Sequence, residues 1–243
     1  MKKNLLLSFA LTLMLAIAVA QPGETKPAVI VESMYLLPKK GMTDKMEAAV
    51  KAHVAKYHPS GPYVAGLRSI DYGLKSGWYV WVMGPTGYAG LDARPDKVEH
   101  ADDWNKNVDP FIEEYGATTI NEYDADLSTG REFFLKSDHY DVWAINVKDA
   151  EMDRFNEILQ QLSKTYVALG DRAFMVYHNM VHIQGGADVG IVTSFTNYVD
   201  FGKDWGVKQA YEKLYGVGSW KNMLTTWNEV VVDYNEELRS IVK

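Results

Sequence analysis

The sequence has 243 residues, 47% of them hydrophobic and 12% aromatic, which is ample for a compact core. Its 25 Lys and Arg residues stand against 32 Asp and Glu residues, and an acidic protein of net charge −7 lacks the basic footprint that nucleic-acid binding needs. Since there is no cysteine, disulfides, thiolate metal sites, a cysteine nucleophile and covalent c-type haem attachment are excluded.

The first twenty residues are typical of a secretory signal peptide. Lys2 and Lys3 form a positive start, an apolar run extends from Leu5 to Ile17, and Ala18-Val19-Ala20 is an A-x-A cleavage site. The run is shorter than the roughly 20 residues that a membrane-spanning helix needs. We therefore expect a periplasmic or secreted protein that begins near Gln21 and has no membrane attachment after cleavage.

The next segment predicts a strand, a helix and a hairpin. Residues 29–37 are an apolar run ended by Pro38, which predicts a strand. Apolar residues at three-four spacing from Met46 to Tyr57 predict a helix that ends before Pro59. The stretches 64–73 and 77–83 then predict a hairpin that is apolar on both faces and therefore covered on both.

The region after the hairpin predicts helix and a final short strand. Residues 97–108 are expected to be helical, with a break at Asp109-Pro110 and renewed helix from Phe111 to about Gly116. Residues 118–128 alternate like an edge strand but are rich in acidic residues, which strands disfavour. With that strand the first unit covers residues 21–128.

Residues 131–243 repeat the same order of elements. Residues 140–147 predict a strand, 149–169 a helix closed by Gly170, and 173–195 a hairpin with a turn at Gly185-Gly186. Helical stretches at about 207–215 and 219–234 follow, and the tail EELRSIVK predicts a last short strand.

Matching aromatic positions support this repeat. The two hairpins superpose without a gap at a constant shift of 110 residues, whereas a shift of 109 places Trp143 on Met34 and Tyr166 on Tyr57. In the later helices Trp220 matches Trp104 and Trp227 matches Phe111.

Each unit thus has the order β-α-β-β-α-β, the ferredoxin-like plan. With strands apolar on both faces, the chain resembles the dimeric α+β barrel superfamily, which includes antibiotic-biosynthesis-monooxygenase-like, NIPSNAP-like and chlorite-dismutase-like proteins. The resemblance implies an α+β fold in which two tandem ferredoxin-like units form a pseudo-symmetric barrel, within a monomer or in a homodimer. It also implies a small-molecule pocket between a sheet and its covering helices.

The pair His178 and His182, in HNMVH, is the first candidate site. On a helix the two rings would share a metal ion, but the repeat places them on a strand, where four residues span about 13 Å. We therefore predict no metal site there. His178 remains a candidate catalytic base or haem ligand, or a hydrogen-bonded structural histidine. The constant shift aligns it with Arg68, so the two units carry different polar groups there.

Other candidates are aromatic or basic residues on the predicted strands and first helix. His53 lies on the apolar stripe of that helix, so it either faces a pocket or is a buried, hydrogen-bonded histidine. His100, near Glu99, Asp102 and Asp103, either helps bind a metal or belongs to a solvated acidic helix start. The predicted ligand-binding residues are Tyr35, His53, Arg68, Trp78, Trp81, Trp143, Tyr177 and His182.

The sequence leaves three functions open. The first is binding of a small apolar or aromatic ligand, with monooxygenase-like chemistry by resemblance. The second is a non-enzymatic barrel for protein interaction or stress response, whose aromatic residues serve only as core. The third is haem binding of the chlorite-dismutase type, although no residue here has a recognisable proximal-histidine context. Nucleotide-binding glycine loops are absent, so we expect no cofactor other than that haem.

Overall fold

The computed structural model describes residues 27–95, 97–183 and 186–243, in which eight antiparallel strands close into one barrel. The signal-peptide prediction and Gly185 lie outside these residues. The elements of the first half are β1 (Ile30–Pro38), α1 (Thr43–Tyr57), β2 (Ala65–Tyr72), β3 (Tyr79–Thr86), α2 (Tyr88–Asp92), α3 (Val98–Asn107) and β4 (Ile112–Thr129).

The second half begins at Arg131, directly after Gly130. Its elements are α4 (Arg131–Phe134), β5 (His139–Val147), α5 (Met152–Leu169), β6 (Phe174–Asn179), β7 (Val189–Phe195), α6 (Tyr198–Phe201), α7 (Val207–Tyr215), α8 (Ser219–Val230) and β8 (Val231–Ile241). Within the described ranges, no helix combines the length and apolar character needed to cross a membrane.

The sheet order is β1-β3-β2-β8-β5-β7-β6-β4, and β4 pairs back to β1. The first half contributes β4-β1-β3-β2 and the second half contributes β8-β5-β7-β6, joined by the β2–β8 and β4–β6 ladders. The interior of such a barrel is just wide enough for side chains. The helices therefore lie on the outside; α1 packs on first-half strands, whereas α5 packs on second-half strands and on Leu127 of β4.

Alternating strand residues form two outer cores. In the first half Leu36 and Trp81 pack against Val50 of α1. In the second half Ile191 packs against Phe155 of α5, with partly buried Trp143 beside them. The residues between these, such as Tyr35, point into the barrel because neighbouring strand side chains face opposite ways.

A polar network fills part of the barrel interior. The Arg239 guanidinium donates hydrogen bonds to Tyr35 Oη at 2.7 Å and to Glu237 Oε2 at 2.5 Å. The Arg68 guanidinium lies 5.9 Å from the ring centre of Tyr140. A buried arginine and a buried carboxylate that bond each other avoid the large cost of an unpaired charge.

Two helix predictions were wrong because strand pairing overrides local preference. Residues 112–116 are not helical: Asp109–Phe111 form one 3₁₀ turn, and β4 then runs for 18 residues. The expected short strand at 118–128 is the C-terminal part of β4, which pairs with both β1 and β6. Likewise α8 ends at Val230, four residues early, because Val231 already pairs with Val147.

The gap-free superposition of the hairpins was also wrong by one residue. Leu67 pairs with Trp81 in the first hairpin, and Val176 pairs with Ile191 in the second. Val176 lies 109 residues after Leu67, whereas Ile191 lies 110 residues after Trp81. No single shift fits both strands.

The corrected register changes which residues match. Arg68 corresponds to Tyr177, and His178 corresponds to Ser69. Met34 pairs with Trp81 and Trp143 pairs with Ile191, so Met34 and Trp143 occupy matching places.

A buried carboxyl in the second half makes stability pH-dependent. Asp141 is 7% exposed, and its Oδ2 accepts a hydrogen bond from Trp143 Nε1 at 3.0 Å. Its Oδ1 and the neighbouring Thr193 Oγ1 have no hydrogen-bond partner among the described residues. Burial, with Glu236 nearby, raises the pKa of Asp141 to about 7.

We predict that Asp141→Asn stabilises the fold, and that the gain grows with pH. In the unfolded chain this carboxyl ionises near its usual pKa of 3.8, while the folded chain keeps the proton to about pH 7. Between these values the folded state binds more protons, so wild-type stability falls as pH rises. The gain should reach about 2 to 4 kcal/mol near pH 8, measured by urea unfolding. Asp149→Asn, at an exposed position, should show no such trend; equal profiles would contradict the prediction.

Candidate functional site

A cleft of about 240 Å³ lies between the outer face of the first-half sheet and helices α1 and α3. This is where the resemblance to α+β barrels places a pocket. Its floor comes from β1 and β3 and its sides from the two helices and the loop before α3. The lining residues are Glu32, Met34, His53, Tyr57, His58, Tyr63, Trp81, Met83, Arg94, Pro95, Lys97, His100 and Trp104.

Helix α1 brings two histidines to this cleft. Met46, Val50 and His53 form its buried stripe, since residues three and four apart share one helix face. The helix stops before Pro59 because proline disfavours helical geometry in the preceding residue. That residue is His58, whose backbone N–H donates to Val54 O at 2.8 Å. His53 is 1% exposed and His58 is 8% exposed.

Helix α3 supplies the third histidine. His100, Asp103 and Trp104 are three and four residues apart, so they share the face turned toward α1. Trp104 packs edge-on against His53, with ring centres 5.0 Å apart. The packing of α3 on α1 therefore brings together residues that are more than 40 positions apart in the sequence.

The three imidazoles form a tight cluster. His100 Nε2 lies 3.1 Å from His53 Nε2 and 2.9 Å from His58 Nε2. His53 Nδ1 lies 2.8 Å from Asp103 Oδ2, and His58 Nδ1 lies 2.8 Å from the Tyr63 carbonyl oxygen. One nitrogen from each ring lies within 4.8 Å of the others, a spacing at which they could hold one metal ion.

Burial sets the charge of this cluster. It lowers the pKa of His53, His58 and His100 below the usual value of 6.5 because the charged ring loses water contacts. The pKa of Asp103 is also lowered, first by its hydrogen bond with His53. At neutral pH the site therefore has neutral imidazoles beside an ionised carboxylate.

The aromatic walls turn their polar atoms away from the cleft. Tyr57 Oη donates to Glu99 O at 2.9 Å, and Tyr63 Oη donates to Gly90 O at 2.7 Å. Trp104 Nε1 donates to Tyr115 Oη at 2.9 Å. With these atoms occupied, the three side chains offer mainly ring carbons to a molecule in the cleft.

An ion pair lies at the rim. Arg94 Nη2 donates to Glu32 Oε2 at 2.8 Å and Nη1 reaches Glu32 Oε1 at 3.4 Å. Both side chains line the cleft, Arg94 in the loop before α3 and Glu32 on β1. The rim thus places charged groups beside a space lined largely by aromatic rings and methionine side chains.

In the second half, the layer between the sheet and α5 is an apolar core that, among the described residues, has no matching histidine cluster. At the shift that places Tyr166 on Tyr57, the match of His53 is Leu162, which is 9% exposed and belongs to the apolar cluster. Trp81 corresponds to Ile191 in the ladders. The cluster is therefore not required by the architecture, because the same layer exists without it.

Of the predicted ligand-binding residues, the structure brings His53 and Trp81 together in the cleft. Tyr35, Arg68 and Tyr177 are on the inward-facing positions of their strands. Trp143 lies in the second-half core, stacked on Tyr234 with ring centres 5.0 Å apart, and Trp78 packs against Lys75.

The two histidines of HNMVH are separate from this cleft. His178 lies on β6, and its Nε2 is 3.2 Å from Asp124 Oδ2. His182 is exposed in the loop after Asn179, the last residue of β6. The expectation that the pair shares one strand was wrong, because β6 ends before His182.

Sequence reasoning did not group His53, His58 and His100. In the sequence His100 stands beside Glu99, Asp102 and Asp103, whereas in the structure Asp103 bonds His53. The signal that could have found the group is the match of Trp104 with Trp220. These two tryptophans lie on α3 and α8, the helices that occupy the same place in the element order of the two halves. Their match therefore indicates that α3 packs on α1.

Known structures share this fold. A protein from Fusobacterium nucleatum provisionally named a monooxygenase aligns over 90% of this chain and 94% of its own, with a TM-score of 0.58 and 10% identity. An anthrone oxidase-like protein covers 89% and 92%, with a TM-score of 0.52 and 14% identity. A variant chlorite dismutase from Candidatus Nitrospira defluvii covers 88% and 92%, with a TM-score of 0.51 and 11% identity.

These proteins have the dimeric α+β barrel fold, and this chain has it too. At such low identity the likeness establishes the fold alone. No family model and no curated protein sequence matches the chain. The chemistry must therefore be argued from the cleft itself.

We predict that His53→Leu stabilises the metal-free chain, since it installs the residue that the second half carries and removes a buried polar ring. The gain in free energy of unfolding should be about 1 kcal/mol by urea titration in EDTA. The reverse exchange, Leu162→His, should cost about 3 kcal/mol because it buries an imidazole in an apolar core. If both variants were destabilised equally, His53 would be a structural requirement of the fold.

Proposed function

We propose that this protein binds a small, flat, apolar or aromatic molecule in the first-half cleft. The observation that carries the proposal is the aromatic wall whose hydroxyl and indole N–H groups are bonded outside the cleft. A cavity of about 150 Å³ accepts benzene, and pockets for drug-sized ligands begin near 300 Å³. A cleft of about 240 Å³ therefore suits a single substituted ring.

The sequence and the fold also support a cellular location, a domain organisation, a reaction class and an oligomeric state. The signal-peptide pattern of residues 1–20 supports export. The shared strand order of the two halves supports two tandem ferredoxin-like units, 21–128 and 131–243. Neighbours provisionally named monooxygenases make oxidation of the bound ring a reasonable reaction class. Since the barrel closes within one chain, a monomer suffices, and a homodimer is not required by the fold.

A haem fits these residues poorly. The cleft of about 240 Å³ is smaller than the roughly 300–1,000 Å³ of pockets for larger ligands. Each imidazole Nε2 in it faces another Nε2, so no single axial nitrogen stands over an open slot. In the second half the matching layer is occupied by apolar side chains, and His178 is paired with Asp124.

We predict that filling the cleft weakens ring binding. Met34→Trp places in the first half the residue that Trp143 provides in the second, and the larger side chain should occupy the cavity. Calorimetric titration with 4-nitrophenol in EDTA should show binding that weakens at least tenfold in Met34→Trp. Met34→Leu, which keeps the room, should bind as the wild type does. No binding to the wild type, or no difference between the variants, would favour a non-enzymatic interaction barrel.

We also predict that haemin does not form a defined complex. Added to the purified protein, it should keep the broad absorption of free haemin and show no sharp Soret band. The opposite result, a sharp band that His178→Ala or His53→Ala removes, would establish the haem-binding alternative and identify the axial ligand.

A further inference from the structure

The histidine cluster has a hydrogen-bonding problem that side chains alone do not solve. A carboxylate and a backbone carbonyl only accept hydrogen bonds. Asp103 therefore requires a proton on His53 Nδ1, and the Tyr63 carbonyl requires one on His58 Nδ1. In neutral rings this leaves an unprotonated Nε2 on both His53 and His58.

Both of these lone pairs face the same atom. His100 Nε2 lies 3.1 Å from one and 2.9 Å from the other. A neutral His100 carries at most one proton on that nitrogen, so it can donate a hydrogen bond to only one of the two lone pairs. The remaining contact brings two nitrogen lone pairs together in a buried place, which is unfavourable. A bound cation would turn all three lone pairs into favourable contacts.

We propose that His53, His58 and His100 bind one divalent late first-row transition metal ion through their Nε2 atoms. Imidazole is a preferred ligand of Zn²⁺, Cu²⁺ and Ni²⁺. Nitrogens 2.0–2.1 Å from a tetrahedral zinc lie roughly 3.3 Å apart. Two of the three nitrogen separations, 2.9 and 3.1 Å, are close to that value, and all three nitrogens lie within 4.8 Å of one another. The sequence predicted no metal at the His178 and His182 pair, and for His100 it left metal binding as an alternative to a solvated helix start.

The hydrogen bonds made by the other ring nitrogens of the ligands support this assignment. Metal-binding histidines donate their other ring N–H to a carboxylate or a backbone carbonyl, which fixes the tautomer and the ring orientation. His53 does so with Asp103 and His58 with Tyr63. Asp103 is itself held by Asn107 Nδ2 at 3.0 Å and by Lys56 Nζ at 3.4 Å. Asp103 is thus a positioning residue for His53.

The number of ligands indicates a site for chemistry. Structural zinc sites use four protein ligands, whereas sites with three protein ligands keep a position for water or substrate. The cluster adjoins the cleft, so a molecule bound there would lie next to the metal. This inference deepens the proposed function by adding a metal to the same site, but it does not depend on an aromatic ligand.

The test is metal titration of the purified chain after removal of metal with EDTA. Calorimetry with Zn²⁺ should give one ion per chain, and Co²⁺ should give the visible absorption of a tetrahedral site. His100→Ala and His100→Gln should weaken Zn²⁺ binding at least 100-fold. Asp103→Asn should weaken it 10- to 100-fold and shift the Co²⁺ spectrum. His182→Ala, at an exposed histidine outside the cleft, should leave both readouts unchanged.

Two outcomes would overturn the metal assignment. One is no Zn²⁺ binding, and the other is equal loss in His100→Ala and His182→Ala. Near-ultraviolet circular dichroism establishes that each variant is folded, and His100→Gln keeps a polar side chain if the alanine variant unfolds. Binding of 4-nitrophenol in EDTA without Zn²⁺ binding would leave the proposed function intact and remove the metal. Zn²⁺ binding without 4-nitrophenol binding would leave the metal site intact and remove the proposed aromatic-ligand function.

Discussion

Closure of the sheet by the β2–β8 and β4–β6 ladders is the constraint on which the rest of the molecule depends. These ladders join the two halves and leave no unpaired edge strand in the described sheet, so the chain does not need a partner to satisfy strand edges. A barrel of this size has an interior filled by side chains, here including Tyr35, Glu237 and Arg239. The cleft of about 240 Å³ accordingly lies outside the barrel, between the sheet and helices α1 and α3. The chemistry of the cleft therefore depends on the side chains that α1 and α3 contribute to it.

Much of this architecture could be predicted from the sequence because it follows local periodicity. The three-four stripe from Met46 onward gave α1, and the apolar runs gave both hairpins. Strand β4 could not be predicted in full, since its acidic residues disfavour a strand and only pairing with β1 and β6 overrides that preference. The one-residue difference between the hairpins was hidden for a similar reason. Register is set by cross-strand pairs such as Leu67 with Trp81, and a linear alignment does not contain them.

The candidate site was only half visible in the sequence. His53 and Trp81 could be found because each lies on a predicted element facing a predicted core. His58 and His100 could not be joined to them, since the contact depends on how α3 crosses α1. The tautomers depend on still finer detail, namely which acceptor each Nδ1 meets: Asp103 for His53 and the Tyr63 carbonyl for His58. The chemistry of the cluster is thus a property of tertiary packing.

The two halves show how one architecture can hold both a core and a site. Large aromatic residues that build the layer recur in both, as with Tyr57 and Tyr166 or Trp104 and Trp220. One matching position differs: His53 faces the cleft of the first half, whereas Leu162 lies in the apolar core of the second half. Buried imidazoles cost stability, and a chain can keep them when other parts of the fold offset that cost. Here the continuous apolar core of the second half is joined to the first by shared ladders. The first half can therefore hold the histidine cluster, because both edge strands of its four-stranded sheet, β2 and β4, pair with strands of the second half.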